Sequence, residues 1–115
     1  MTAPGPGPRR VLLDECVPRR LGRVLPGLAA SHVRDEGWAG RRNGDLLRLL
    51  RGAGFEVLVT VDRNLEYQQH VAAAGVAVVV LAARTNRLQD LLPLAPRAAE
   101  VAAAAAPGTV TRVAA

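Results

Sequence analysis

The sequence predicts an open α/β domain, a mainly parallel five-stranded sheet between two layers of helices. Three observations carry that expectation. Short apolar, β-branched runs alternate with stretches of helical periodicity across residues 10–115, and the connections are too short for further domains. Two of these runs, Val11–Leu13 and Val57–Val61, are nearly unbroken, as strands buried on both faces are. Both end in acid, Asp14-Glu15 and Asp62. In open α/β sheets, ligands bind beyond the carboxyl ends of the strands, where the strand order reverses. At 115 residues the chain makes one domain, able to bury roughly two thirds of its unfolded surface.

The elements follow in order. The Pro/Gly-rich start makes residues 1–9 a disordered leader. A first strand covers about Arg10–Leu13. Pro18 suits a first helical turn, with Val17, Leu21, Val24 and Leu25 on one face, Arg19, Arg20 and Arg23 on the other, and Pro26-Gly27 as the stop. A short strand near Ala30–Val33 contains His32, read as a packing residue. The loop Asp35–Gly40 leads to Asn43, an N-cap for a helix to about Ala53 that buries Leu46, Leu47, Leu49 and Leu50. Asp45 falls in its first turn, either as a complement to the helix dipole or as a functional acid. After Asp62 a helix over about 65–73 ends at Gly75, and Val76–Leu81 is a buried strand. Asn86 and Gln89 stand at capping-box spacing, Pro93 and Pro96 divide the helix that follows, and Thr109–Val113 alternates like an edge strand. The strand order expected is 2-1-3-4-5 with right-handed crossovers. That order sets Asp14 and Asp62 on one edge at the switch point, with Asp45 brought in from the start of the helix after strand 2.

Composition narrows the function. The aromatics are Trp38, Phe55 and Tyr67 alone, too few for a sheet that stacks bases on exposed rings. One cysteine, Cys16, excludes an intrachain disulfide and a cysteine-based zinc site. No segment reaches a membrane span and the N-terminus lacks a signal-peptide core, so a cytoplasmic protein is expected. The net charge of +5 comes entirely from arginine, with no lysine. Guanidinium forks suit phosphate oxygens, and a basic chain with acids at its strand ends fits a polyanion. The missing lysine removes a phosphoacceptor receiver domain, which needs one after strand 5. Two carboxylates brought to ~4 Å repel by about 4 kcal/mol at an effective dielectric near 20. A proton, an arginine or a divalent metal must offset that. Oxygen donors in an open cleft suit Mg²⁺ or Mn²⁺, and metal-assisted phosphodiester hydrolysis is the chemistry such a site serves best. Arg19, Arg20, Arg63 and Arg84 all follow strand ends, as phosphate contacts around the acids or as solvated surface charges.

Three segments carry a family resemblance. Val-Leu-Leu-Asp14-Glu15-Cys-Val-Pro18-Arg19-Arg20-Leu, the Glu36-Gly-Trp38-Ala-Gly40 loop with Asn43-Gly-Asp45, and Leu-Val-Thr60-Val-Asp62-Arg-Asn64-Leu65 together resemble the DUF5615 group of PIN-like proteins. The resemblance runs from about residue 10 to 95. It implies a three-layer α/β/α Rossmann-like fold and a Mg²⁺-dependent ribonuclease site in which Asp14 and Asp62 bind metal. It also implies a toxin of a toxin–antitoxin pair, with RNA as substrate and a small antitoxin as partner, and leaves a homodimer open. Asn64 replaces the second acid of an Asp-x-Asp and would ligate through its carbonyl oxygen. Asn43 stands where an acid is often found, placing it beside the nucleic acid, with Asp45 as the substitute acid. The alternative is a non-catalytic nucleic-acid- or antitoxin-binding module on the same fold.

Overall fold

Residue parity along the strands divides the core between the two faces of the sheet. The structure, a computed structural model, describes residues 8–41, 43–63 and 71–114. Five strands, β1 (Arg9–Leu13), β2 (Leu28–His32), β3 (Val57–Thr60), β4 (Ala77–Ala82) and β5 (Val110–Ala114), form one all-parallel sheet. Its order is β2-β1-β3-β4-β5, as expected. Val11, Leu13, Val57, Val59, Val79 and Leu81 point to one face, and Leu12, Leu58, Val78 and Val80 to the other. Each fully buried Val or Leu contributes about 1.5–3 kcal/mol. Runs with apolar residues at both parities can only be central strands, which is why β1, β3 and β4 sit in the middle.

Helices cover both faces. A 3₁₀ helix over Arg19–Val24 packs Leu21 on the first face, together with Val17 and Leu25. The α-helix expected here does not form. Pro18 is extended and Pro26 pushes Leu25 out of helical backbone, to φ −106°, ψ 84°, leaving six helical residues among the seven between the two prolines. Leu25 still reaches the core, as expected, whereas Val24, expected beside it, is exposed. Gly22 permits the close approach to β2, since a Cβ there would lie 3.1 Å from Ala30 Cβ. On the second face, α1 (Asn43–Gly52) buries Leu46, Leu47 and Leu50, leaves Leu49 half-buried and keeps Arg48 and Arg51 outside. Val71, in the helical residues 71–74, joins the same layer. The first part of the helix expected over 65–73 lies outside the described residues.

After β4, α2 (Leu88–Leu91), a 3₁₀ turn (Leu92–Leu94) and α3 (Ala95–Ala104) form one interrupted helical run. Pro93 and Pro96 divide it as expected. The cap differs from the Asn86/Gln89 expectation. Thr85 Oγ1 accepts from the Arg87 N–H at 3.0 Å and donates to Asp90, while Asn86 is drawn away to the β1 loop. A larger difference lies in the crossovers. The run returns over the first face although β5 lies on the same side of β4 as β4 does of β3. The β4–β5 connection is therefore opposite in hand to the β1–β2 and β2–β3 connections, an exception to a rule obeyed in about 98% of cases. The physical reason is coverage. Among the described residues, only the short 3₁₀ helix lies on the first face apart from this run, and α3 fills the gap with Ala95, Ala98, Ala99 and Ala102. No described helix is long and apolar enough to cross a membrane.

Candidate metal and phosphate site

The β1/β3 register brings the strand-end acids to one edge. The Asp14 N–H donates to Val59 O at 2.9 Å, extending the ladder one residue past β1. Thr60 therefore lies beside Asp14. Its hydroxyl donates to Asp14 Oδ2 at 2.7 Å and accepts from the Asp62 N–H at 3.0 Å. A single buried hydroxyl thus ties the two acidic residues together. Asp14 Oδ1 accepts from the Glu15 N–H at 2.9 Å, so both carboxylate oxygens have donors and the plane of the group is set. Asp14 is only 8% exposed and Thr60 fully buried, whereas Asp62 is exposed. A carboxylate buried that far requires such donors.

Cys16 completes this corner. Its thiol lies 3.8 Å from Asp14 Oδ2 and 3.7 Å from Thr60 Oγ1. Burial raises its pKa, and the charge of Asp14 raises it further. The group stays a neutral thiol at physiological pH, a packing residue and a poor nucleophile.

Beside the acids, beyond the ends of β1 and β2, a cleft of ≈ 480 Å³ is lined by Glu15, Arg19, Arg20, His32, Arg34 and Asn86, with Cys16, Val17 and Pro18 at its wall. Its frame is tied together by hydrogen bonds. His32, 4% exposed, accepts from the Arg34 N–H at Nδ1 (3.1 Å). Its Nε2–H therefore donates to Val17 O, 2.7 Å away. The imidazole thus joins the turn after β2 to the loop after β1, a structural role in keeping with the packing reading of His32. Asn86 Nδ2 donates to Cys16 O at 3.0 Å from beyond β4. Glu15 Oε1 accepts from the Gly40 N–H at 3.0 Å, made reachable by the positive φ of Gly40. Trp38, in the same loop, meets Phe55 edge to face at 6.1 Å and so anchors the loop to the second core layer.

The remaining site residues divide between this cleft and other parts of the surface. Asp45 is exposed, pairs with Arg48 and lines a separate hollow with Arg41, Leu49 and Ala53. Its position in the first turn of α1 and that pairing both stabilise the helix. Arg19 and Arg20 line the cleft, although Arg19 also pairs with Asp35 at 3.0 Å. Arg63 lies across the edge, its guanidinium 3.4 Å from Ala83 O, with exposed Arg84 next in the chain. The arginines thus flank the acids on both sides rather than forming one ring. Asn64 and the side chain of Asn43 lie outside what the structure describes. Among the described residues no group of three or more His, Cys, Asp and Glu clusters as a metal site. Asp14 and Asp62 supply hard carboxylate oxygens on one edge, donors of the kind Mg²⁺ or Mn²⁺ takes.

Three residues escaped the sequence reading. Thr60 had a signal, since it is a polar residue at a parity shared with buried Leu58, one step before the end of the run. Arg34 had none and Asn86 only a capping one, because their place at the cleft depends on how two loops fold back over the sheet. Comparisons of the chain with family models, curated proteins and solved structures return no match.

Proposed function

We propose that this chain is a PIN-like ribonuclease that hydrolyses RNA phosphodiester bonds with Mg²⁺ or Mn²⁺ held by Asp14 and Asp62. On this reading it is the toxin of a toxin–antitoxin pair, restrained by a small antitoxin. The observation that supports the chemistry best is the Asp14–Thr60–Asp62 tie at the β1/β3 switch point. When bound, the ion supplies charge neutralisation for the phosphodiester and activation of a water. The chain's residues do the rest. Thr60 and the Glu15 N–H orient Asp14, Thr60 pins the backbone of Asp62, and the flanking arginines hold phosphates through paired N–H donors. Cys16, kept neutral, adds no further anion to the corner.

Asp62→Asn tests this reading, since it keeps size and removes charge. RNA cleavage by the parent should require added Mg²⁺ or Mn²⁺, and the variant should lose it by orders of magnitude while still binding RNA. An ion at 100 times its Kd stabilises the parent by about 2.7 kcal/mol, and the variant should gain less. Parent-like metal response and cleavage in Asp62→Asn would refute the assignment. A second reading, a non-catalytic RNA- or antitoxin-binding module, is favoured by one observation: Asp45 is engaged by Arg48 and adds no third carboxylate to the edge. RNA binding with no cleavage at any metal concentration would select it.

A further inference from the structure

We infer that the cleft beyond β1 and β2 is a separate phosphate subsite, which holds the RNA backbone next to the bond being cut through Arg20 and Arg34. The inference rests on the reading of the strand-end acids as the cutting centre. The cleft is lined by three arginines, Arg19, Arg20 and Arg34, and these are not equivalent. Arg19 is held by Asp35. Arg20 and Arg34 are exposed and make no side-chain hydrogen bond or ion pair among the described residues. Two such arginines on the lining of one cleft suit an anion with several oxygens. The carboxylate in the cleft, Glu15, already accepts from the Gly40 N–H.

The frame is built before any ligand arrives. His32 sits buried at the cleft and hydrogen-bonds the loop leading into the 3₁₀ helix of Arg20 on one side and the backbone of Arg34 on the other. Asn86 fixes Cys16, the residue between cleft and acids. Cys16 Sγ stands 3.8 Å from Asp14 Oδ2, so cleft and acids share a wall. A strand crossing this edge would meet Arg20 and Arg34 on the β2 side, the acids at β1/β3, and Arg63 and Arg84 on the β4 side. The direction of that path is a consequence of the β2-β1-β3-β4 order. A surface with single arginines at intervals would instead take any polyanion in any register.

The test measures binding of a labelled single-stranded RNA across salt, in metal-free buffer to hold off cleavage. The proteins compared are the parent, Arg20→Ala/Arg34→Ala, Arg19→Ala, and Arg48→Ala/Arg97→Ala, which removes the same charge from outer helix positions. Each lost phosphate contact on a single strand shallows log K against log salt by about 0.7. The cleft double variant should therefore lose about 1.4 in slope, so the affinity drop between 50 and 200 mM salt shrinks about sevenfold. Arg19→Ala should change the slope less, and the outer double variant least. Equal slopes for the two double variants would overturn the subsite, as would a parent that binds polyglutamate but not RNA. Cleavage assays of the parent and Asp62→Asn run alongside. A slope loss confined to the cleft variant supports the subsite even if the parent never cleaves, and only the nuclease reading then fails. Cleavage lost in Asp62→Asn with unchanged slopes overturns the subsite alone.

Discussion

Thr60→Val replaces the hydroxyl between the two acidic residues with a methyl of nearly the same size. The swap is isosteric but not equivalent, because the hydroxyl makes two hydrogen bonds in a fully buried position. The bond to Asp14 is to a charged acceptor that is itself almost buried, and such a bond contributes about 1.5–3 kcal/mol. The bond from the Asp62 N–H lies at the exposed end of the strand, where water can replace it, and contributes about 0.5–1 kcal/mol. Burying the new methyl returns part of the loss, which leaves a net cost of roughly 2–3 kcal/mol. For a domain of this size that lowers Tm by about 10 °C. Thermal unfolding by circular dichroism measures it, with Thr60→Ser as the control that keeps the hydroxyl and loses about 1 kcal/mol of packing. In the cleavage assay the serine variant should retain activity and the valine variant should lose much of it, since Asp14 is no longer oriented. A Thr60→Val protein with parent-like Tm, or one less perturbed than Thr60→Ser, would refute the claim that this hydroxyl organises the edge.

Two further outcomes follow from the same corner and its cleft. The thiol of Cys16 has its pKa raised in the folded state, so its stabilising contribution is complete below the unfolded value of about 8.5 and is lost as pH rises through the folded one. Stability measured by urea denaturation should therefore fall on the alkaline side, and Cys16→Ser should flatten that limb; an unchanged limb would remove Cys16 as its source. His32→Ala removes both hydrogen bonds that join the cleft walls, at a cost of roughly 2–4 kcal/mol in unpaired backbone groups and lost packing. Denaturant midpoints read this directly, and a change below about 0.5 kcal/mol would mean that water repairs the gap.

The sequence by itself determined what depends on local pattern. Runs apolar at both parities could only be central strands, so β1, β3 and β4 and the 2-1-3-4-5 order were legible, as was the placing of Asp14 and Asp62 on one edge. Arg19 and Arg20 were legible too, because they follow a strand that must end there. Tertiary structure decided the rest, because it turns on which groups meet across elements. The winding of Arg19–Val24 was settled by two prolines and the nearness of β2. The hand of the last crossover was settled by which face of the sheet stood uncovered. Asp45 had two readings of equal standing in the sequence, and only the structure revealed its pairing with Arg48 in the first turn of α1. Arg34 carries no pattern in the chain and Asn86 only a capping one, and both reach the cleft because one buried histidine and one amide fasten distant loops together. Periodicity specifies which face a residue takes within its own element. The partner it meets is set by the packing of elements far apart in sequence.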